Sequence, residues 1–197
     1  MKKYNEISTD DIIEEIAKPN NVQSLNNEFY FYNEINIESV FALNKFLSDT
    51  QKQCMFQKIQ FDLPKPPPMK IYINSDGGEI FSAFTSIDRI KSSKVPVYTY
   101  VEGIVASAAS LISICGHKRF ISKNAVMLVH QLRSWCGGTH ENIKDEAKNL
   151  ELLSNKIKKI YLENTKFKEK DLEEMLKHDI YLSAEDCLKY GLVDAII

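Results

Sequence analysis

The chain has 197 residues, 44% of them hydrophobic and 26% charged, with a net charge of −2 and a pI near 6.1. That length suits one core-forming domain with a small extension, and the near-neutral balance argues against a nucleic-acid footprint. The polar start Met1–Glu6, with no apolar run near the ~20 residues of a spanning helix, leads us to expect a cytoplasmic protein that does not enter a membrane.

Taken in order, Ser8-Thr9-Asp10-Asp11 can cap a short helix through Ile12, Ile13 and Ile16. Residues 1–27 read as an N-terminal arm and residues 28–197 as the folded domain. Phe29–Tyr32 is a short aromatic strand. Val40, Leu43 and Leu47 fall at helical spacing in a helix over Glu38–Gln53. Pro64–Pro68 can continue neither helix nor central strand and forms a stiff connector. Met69–Asn74 is a strand, Ser75–Gly78 a turn, and Glu79–Lys91 a helix. Pro96 opens the strand Val97–Val101. The small-residue stretch Gly103–Ser110 leads into a helix through Leu111 and Ile114 that stops at Gly116. Arg119–Ile121 and Ala125–Val129 are two further strands.

Glu141–Glu163 is the longest helix, with an apolar stripe through Ile143, Ala147, Leu150, Ile157 and Ile160. It is long for this domain size, so its outer end is expected to pack on another subunit. Helices follow at Glu169–Lys177 and from Ser183 to Gly191, and Leu192–Ile197 is the closing strand. Strands alternating with helices give an α/β class.

Three features bear on chemistry. Ser107 stands among Ala106, Ala108 and Ala109 at a strand-to-helix junction. There a hydroxyl either packs or acts as a nucleophile, beside backbone N–H groups left free by the helix start. Gly77-Gly78 ends a strand, where a backbone N–H can face a ligand unobstructed; neither GxxxxGK[ST] nor GxGxxG spacing is present to make it a phosphate loop. His130 ends an apolar strand, exposed or serving as a base. His117, His140 and His178 have polar neighbours and read as surface residues. The four cysteines, Cys54, Cys115, Cys136 and Cys187, form no CxxC pair, and none of the histidines has ligand-like spacing, so reduced thiols and no metal or cofactor are expected.

Four segments in order carry a resemblance: Ile73–Gly78, Gly103–Ala108, Met127–Gln131, and Asp179–Ala184 with Tyr190–Asp194. Their order and spacing resemble ClpP, the proteolytic subunit of the Clp protease, over roughly residues 28 to 197. The resemblance implies a ClpP/crotonase-like fold of repeated β-β-α units with a protruding handle helix, here Glu141–Glu163. It implies a Ser-His-Asp triad of Ser107, His130 and Asp179, with Gly78 and Ala108 as backbone oxyanion donors. Asp194, the rival carboxylate, falls at a structural position of the closing strand.

The resemblance further implies a serine endopeptidase that degrades unfolded polypeptides inside two stacked heptamers, fed by a AAA+ ATPase unfoldase, with the N-terminal arm as an axial loop. The alternative is a catalytically inactive ring subunit or scaffold. Departures from the family pattern are Asp76 in place of a proline, Val105 in place of an alanine, and Leu132, Ser134 and Trp135 in place of a proline and glycine pair. These make the stretch after His130 the part of the site least like its relatives.

Overall fold

The computed structural model describes residues 22–197, with side chains from residue 26 onward. The capped helix expected near Ile12 lies outside the described residues. Strand β1 (Val22–Leu25) pairs antiparallel with β2 (Glu28–Phe31), which runs parallel to β3 (Met69–Ser75). Helix α1 (Ile37–Gln60) lies between β2 and β3 in the chain. Asn36 caps it reciprocally with Ser39, and Val40, Leu43, Leu47, Thr50 and Cys54 form its buried face. The helix outruns the expected end at Gln53 because that face continues to Cys54; Asp62, at φ 47°, lies just beyond it.

After α2 (Ile80–Lys91) comes the long strand β4 (Val97–Ala106), then α3 (Ala108–Ile114), β5 (Lys118–Ile121) and β6 (Val126–Leu128). Helices α4 (His140–Asn164) and α5 (Glu169–Leu176) lead to β7 (Tyr181–Leu182), α6 (Ala184–Lys189) and β8 (Ala195–Ile196). The described strands form one mixed sheet in the order β1-β2-β3-β4-β5-β8, from which β6 and β7 branch at β4. The expected α/β class holds. In-register parallel pairing sets Tyr30, Tyr72, Tyr100 and Phe120 side by side across four strands, each ring stacked on the next at 4.7–4.8 Å. The opposite face buries Phe29, Phe31, Ile71, Ile73 and Val101 in the main core.

Strand β4 differs from its sequence expectation in a way that builds the site. It continues five residues past Val101. Ile73 pairs with Val101, but Ser75 pairs with Val105, so β4 carries two surplus residues there. Gly103 takes φ +57° in this bulge, and the Asn74 side chain fills the space its Cβ would occupy, accepting from Ile104 N–H at 3.3 Å. Before the bulge β4 pairs with β5; after it, with β6. One edge of the strand thus serves two partners in turn, and the strand ends at Ala106, just before Ser107.

The outer part of α4, from His140 through Asn149, is exposed apart from half-buried Glu146, and Ile143 is among its open residues. Its inner part turns Ile157 and Tyr161 into the core. Among the described residues no helix is long and apolar enough to cross a membrane.

Candidate active site

Ser107 follows the last residue of β4 and caps α3. Its backbone has φ 53° and ψ −127°, a conformation that costs an L-residue about 1–3 kcal/mol and persists only where its surroundings impose it. Those surroundings are specific. Ser107 N–H donates to the Leu128 carbonyl at 3.0 Å, continuing the β4–β6 ladder, and the Ser107 carbonyl accepts from Ser110 N–H at 3.0 Å. The serine side chain makes no capping bond to α3. Ala108 is the first residue of the helix, so its N–H has no acceptor within α3.

Two residues beyond Leu128, His130 comes level with Asp179. The register explains why. Strand β6 pairs antiparallel with β7 as Met127↔Leu182 and Leu128↔Tyr181, and continuing that count brings His130 opposite Asp179. Their nearest atoms, His130 Nδ1 and Asp179 Oδ1, are 3.2 Å apart. The pair is nevertheless out of line for a hydrogen bond, and Nδ1 is buried without a partner. Such a group costs about 1–3 kcal/mol. The other oxygen of Asp179 is taken by the Arg133 guanidinium. His130 is mostly enclosed, its side chain 12% exposed, whereas Asp179 at 52% and Arg133 at 68% meet solvent.

Gly77-Gly78 forms the third wall. Ile35 N–H donates to the Gly77 carbonyl and Glu79 N–H donates to the Ile35 carbonyl, both at 2.7 Å. This is a parallel bridge in which Ile35 bonds to the two neighbours of Gly78 and not to Gly78 itself, so the Gly78 N–H is not spent on that partner. Both glycines are required by contact. A Cβ on Gly77 would fall 2.6 Å from Ser107 Cβ, and one on Gly78 would fall 2.2 Å from the Ile35 carbonyl oxygen.

Gly78, Ser107, Ala108 and His130 line one small cavity of about 30 Å³, floored by Leu111, Ile157 and Tyr161. It has room for an oxygen atom, not for a side chain. Gln131, Leu132 and Ile157 also border a neighbouring groove of about 420 Å³, completed by Ser154, Leu176 and the charged rim of Lys158, Glu173 and Lys177. Four of the five residues singled out in the sequence therefore meet at one cavity, and Asp179 stands behind His130.

Asp194 lies elsewhere. It accepts from Arg119 Nε and from Arg119 backbone N–H, and pairs with the same guanidinium at a second oxygen. Partial burial opposes its charge, but the Arg119 hydrogen bonds prevail and hold the carboxyl below its ordinary range. His117 is exposed, its Nδ1 accepting from Val97 N–H at 3.1 Å; His140 and His178 are exposed too. Cys136 is exposed, and Cys54, Cys115 and Cys187 are buried thiols. Among the described residues no cluster of His, Cys, Asp or Glu could hold a metal ion.

Reading the sequence missed the contact of Arg133 with Asp179, the clamp of Ile35 on Gly77-Gly78, and the buried pair Ser110–Tyr161. Arg133 was visible as a cation three residues past His130, but alternation along an extended chain sets residues i and i+3 on opposite faces, so the spacing gave no signal that both meet Asp179.

Fold and cavity together define an α/β domain with a strained serine and a histidine at adjoining strand ends. Residues 26–197 match the protein family described as Clp protease. The ATP-dependent Clp protease proteolytic subunit 2 of Treponema denticola is 39% identical over 131 residues, which span 66% of this chain and 66% of that relative. The solved structure of a ClpP1 mutant from Listeria monocytogenes superposes with a TM-score of 0.75 at 27% identity, covering 87% of this chain and 91% of the other. The chain belongs to the Clp protease family.

Proposed function

We propose that this chain is a serine endopeptidase that cuts unfolded polypeptide through an acyl-enzyme on Ser107. The observation that carries this reading is the strained Ser107 sharing a cavity with His130, which in turn stands beside Asp179. With Nδ1 toward Asp179, Nε2 is the nitrogen left for the serine. It takes the hydroxyl proton as Oγ attacks the peptide carbonyl carbon. The oxyanion that forms receives the N–H groups of Gly78 and Ala108. As the C–N bond breaks, the imidazolium returns the proton to the leaving amine. Water, deprotonated by the same imidazole, then releases the acyl group from Ser107. Leu132, Ile157 and Leu176 in the neighbouring groove suit an apolar side chain of the substrate.

The same reading includes assembly into two stacked heptamers, delivery of substrate by a AAA+ unfoldase, and a cytoplasmic setting. Two surfaces support assembly. A groove of about 980 Å³ between α1 and α2 is bordered by Ile37, Phe41 and Phe81, all exposed. Helix α4 also leaves Ile143 and Leu152 open.

A fluorophosphonate probe tests the reading directly. The assembled full-length chain should be labelled on Ser107, and Ser107→Ala should lose both labelling and cleavage of a short hydrophobic peptide. A native chain that resists the probe points to the second reading, an inactive ring subunit. The observation behind that alternative is that Asp179 is engaged by Arg133 while His130 Nδ1 has no bond.

The two readings diverge again at Arg133. Its ion pair with Asp179 is exposed, the kind worth about 0–1 kcal/mol and weakened by salt. Arg133→Gln releases the carboxylate to turn toward Nδ1, so kcat should rise by up to about fivefold at low ionic strength. Steady-state peptide cleavage should show the wild-type chain approaching the variant as salt is added. A fall in kcat would instead make Arg133 a support for Asp179.

A further inference from the structure

Ser107 is held from one more direction. Ser110, one turn into α3, donates its hydroxyl proton to the Ser107 carbonyl at 2.6 Å, alongside its backbone N–H at 3.0 Å. Ser110 Oγ also lies 2.6 Å from the hydroxyl oxygen of Tyr161. The donors can be assigned. A serine hydroxyl has a single proton, and a carbonyl can only accept. Ser110 gives its proton to Ser107, so the phenol must be the donor in the second contact. Tyr161 is 1% exposed, and burial pushes its ionisation well above the ordinary phenol range, so the proton stays in place. The result is a directed chain, Tyr161 O–H to Ser110 Oγ–H to the Ser107 carbonyl, in which each bond polarises the next.

Tyr161 sits on the inner end of α4, in the last turn of that helix, and lines the cavity with Ser107 and His130. We propose that Tyr161 is a positioning residue, which acts through Ser110 to pin the Ser107 carbonyl and keep the serine in its strained, cavity-facing conformation. This rests on Ser107 being the nucleophile. The tyrosine touches no reacting atom. It links the inner end of the long helix to the one backbone unit whose unusual torsions aim the hydroxyl. Ser110 carries the link, because its proton joins the two groups.

The test uses the assembled full-length chain, with Tyr161→Phe, Ser110→Ala and the double variant. Phenylalanine keeps the buried ring and removes only the donor. The readouts are the rate of fluorophosphonate labelling, kcat and KM for a short peptide, and the melting temperature. Tyr161→Phe should label about fivefold more slowly, the fold-change of one net hydrogen bond, with kcat lowered to match and KM unchanged. The double variant should be no slower than Ser110→Ala alone, because both groups act along one chain. Labelling within twofold of wild type, additive losses in the double variant, or a KM that moves with the melting temperature while labelling holds would each overturn the proposal. A wild-type chain that takes no label removes the nucleophile itself, and this inference falls with it. Ser110→Ala provides the same comparison should Tyr161→Phe not fold.

Discussion

His130→Ala should leave a folded, assembled chain whose peptide turnover is reduced by about 10⁶-fold, the scale seen when a serine peptidase loses its base. Two features separate this from a folding defect. The ring is mostly enclosed, but its Nδ1 makes no hydrogen bond, so removing it orphans no buried partner. The backbone around it is held independently, since Gln131 N–H donates to the Leu176 carbonyl at 2.9 Å. Circular dichroism and sizing should therefore match the wild type while kcat collapses. Unchanged turnover would exclude His130 as the base. Asp179→Asn is a milder companion, because a half-exposed carboxylate shared with Arg133 controls the imidazole less firmly than a buried one.

Gly78→Ala should fail differently, losing stability and turnover together. The added methyl would sit 2.2 Å from the Ile35 carbonyl oxygen and 2.9 Å from its carbon, and both are backbone atoms that cannot swing aside. Gly78 also holds φ +142°, a region open essentially to glycine. Strain and overlap together should cost about 3 kcal/mol or more. Relief requires breaking the bridge to Ile35, which would displace Gly78, the oxyanion donor of the proposed mechanism. Loss of one oxyanion donor lowers kcat by about 10²–10³-fold. Thermal melts and peptide kinetics on the same preparation read both effects. A variant with wild-type melting and turnover would show that Gly78 neither bridges nor donates as described.

The strands with plain alternation were legible in the sequence. Met69–Asn74 reads as a strand because every second residue is apolar, and in the fold those residues are the buried ones. The second half of β4 was not legible, because Glu102 and Gly103 interrupt the pattern where the strand bulges. The helix starting at Ala108 and the small residues around Ser107 were readable, yet they allow packing as readily as chemistry. What separates the two is torsional, a positive φ that no residue preference announces. The approach of Asp179 to His130 depends on the register of a two-residue strand, β7, too short to leave a periodic signature. Only the resemblance of ordered segments to a known family linked them. Arg133 and Tyr161 were beyond reach for a related reason. Each acts through a partner 46 or 51 residues away, and nothing local to either one names that partner.

The bulge in β4 has one further consequence. Side chains alternate along a strand, so an even surplus preserves parity and an odd one inverts it. Val101 and Val105 are both buried, four residues apart, opposite Ile73 and Ser75, which are two apart and also both buried. The segment Glu102–Ile104 thus works as a spacer that shifts the strand without flipping it. Evolution or engineering can lengthen or shorten this spacer only in steps of two, since a single-residue change would turn the end of β4 inside out and carry Ser107 to the wrong face.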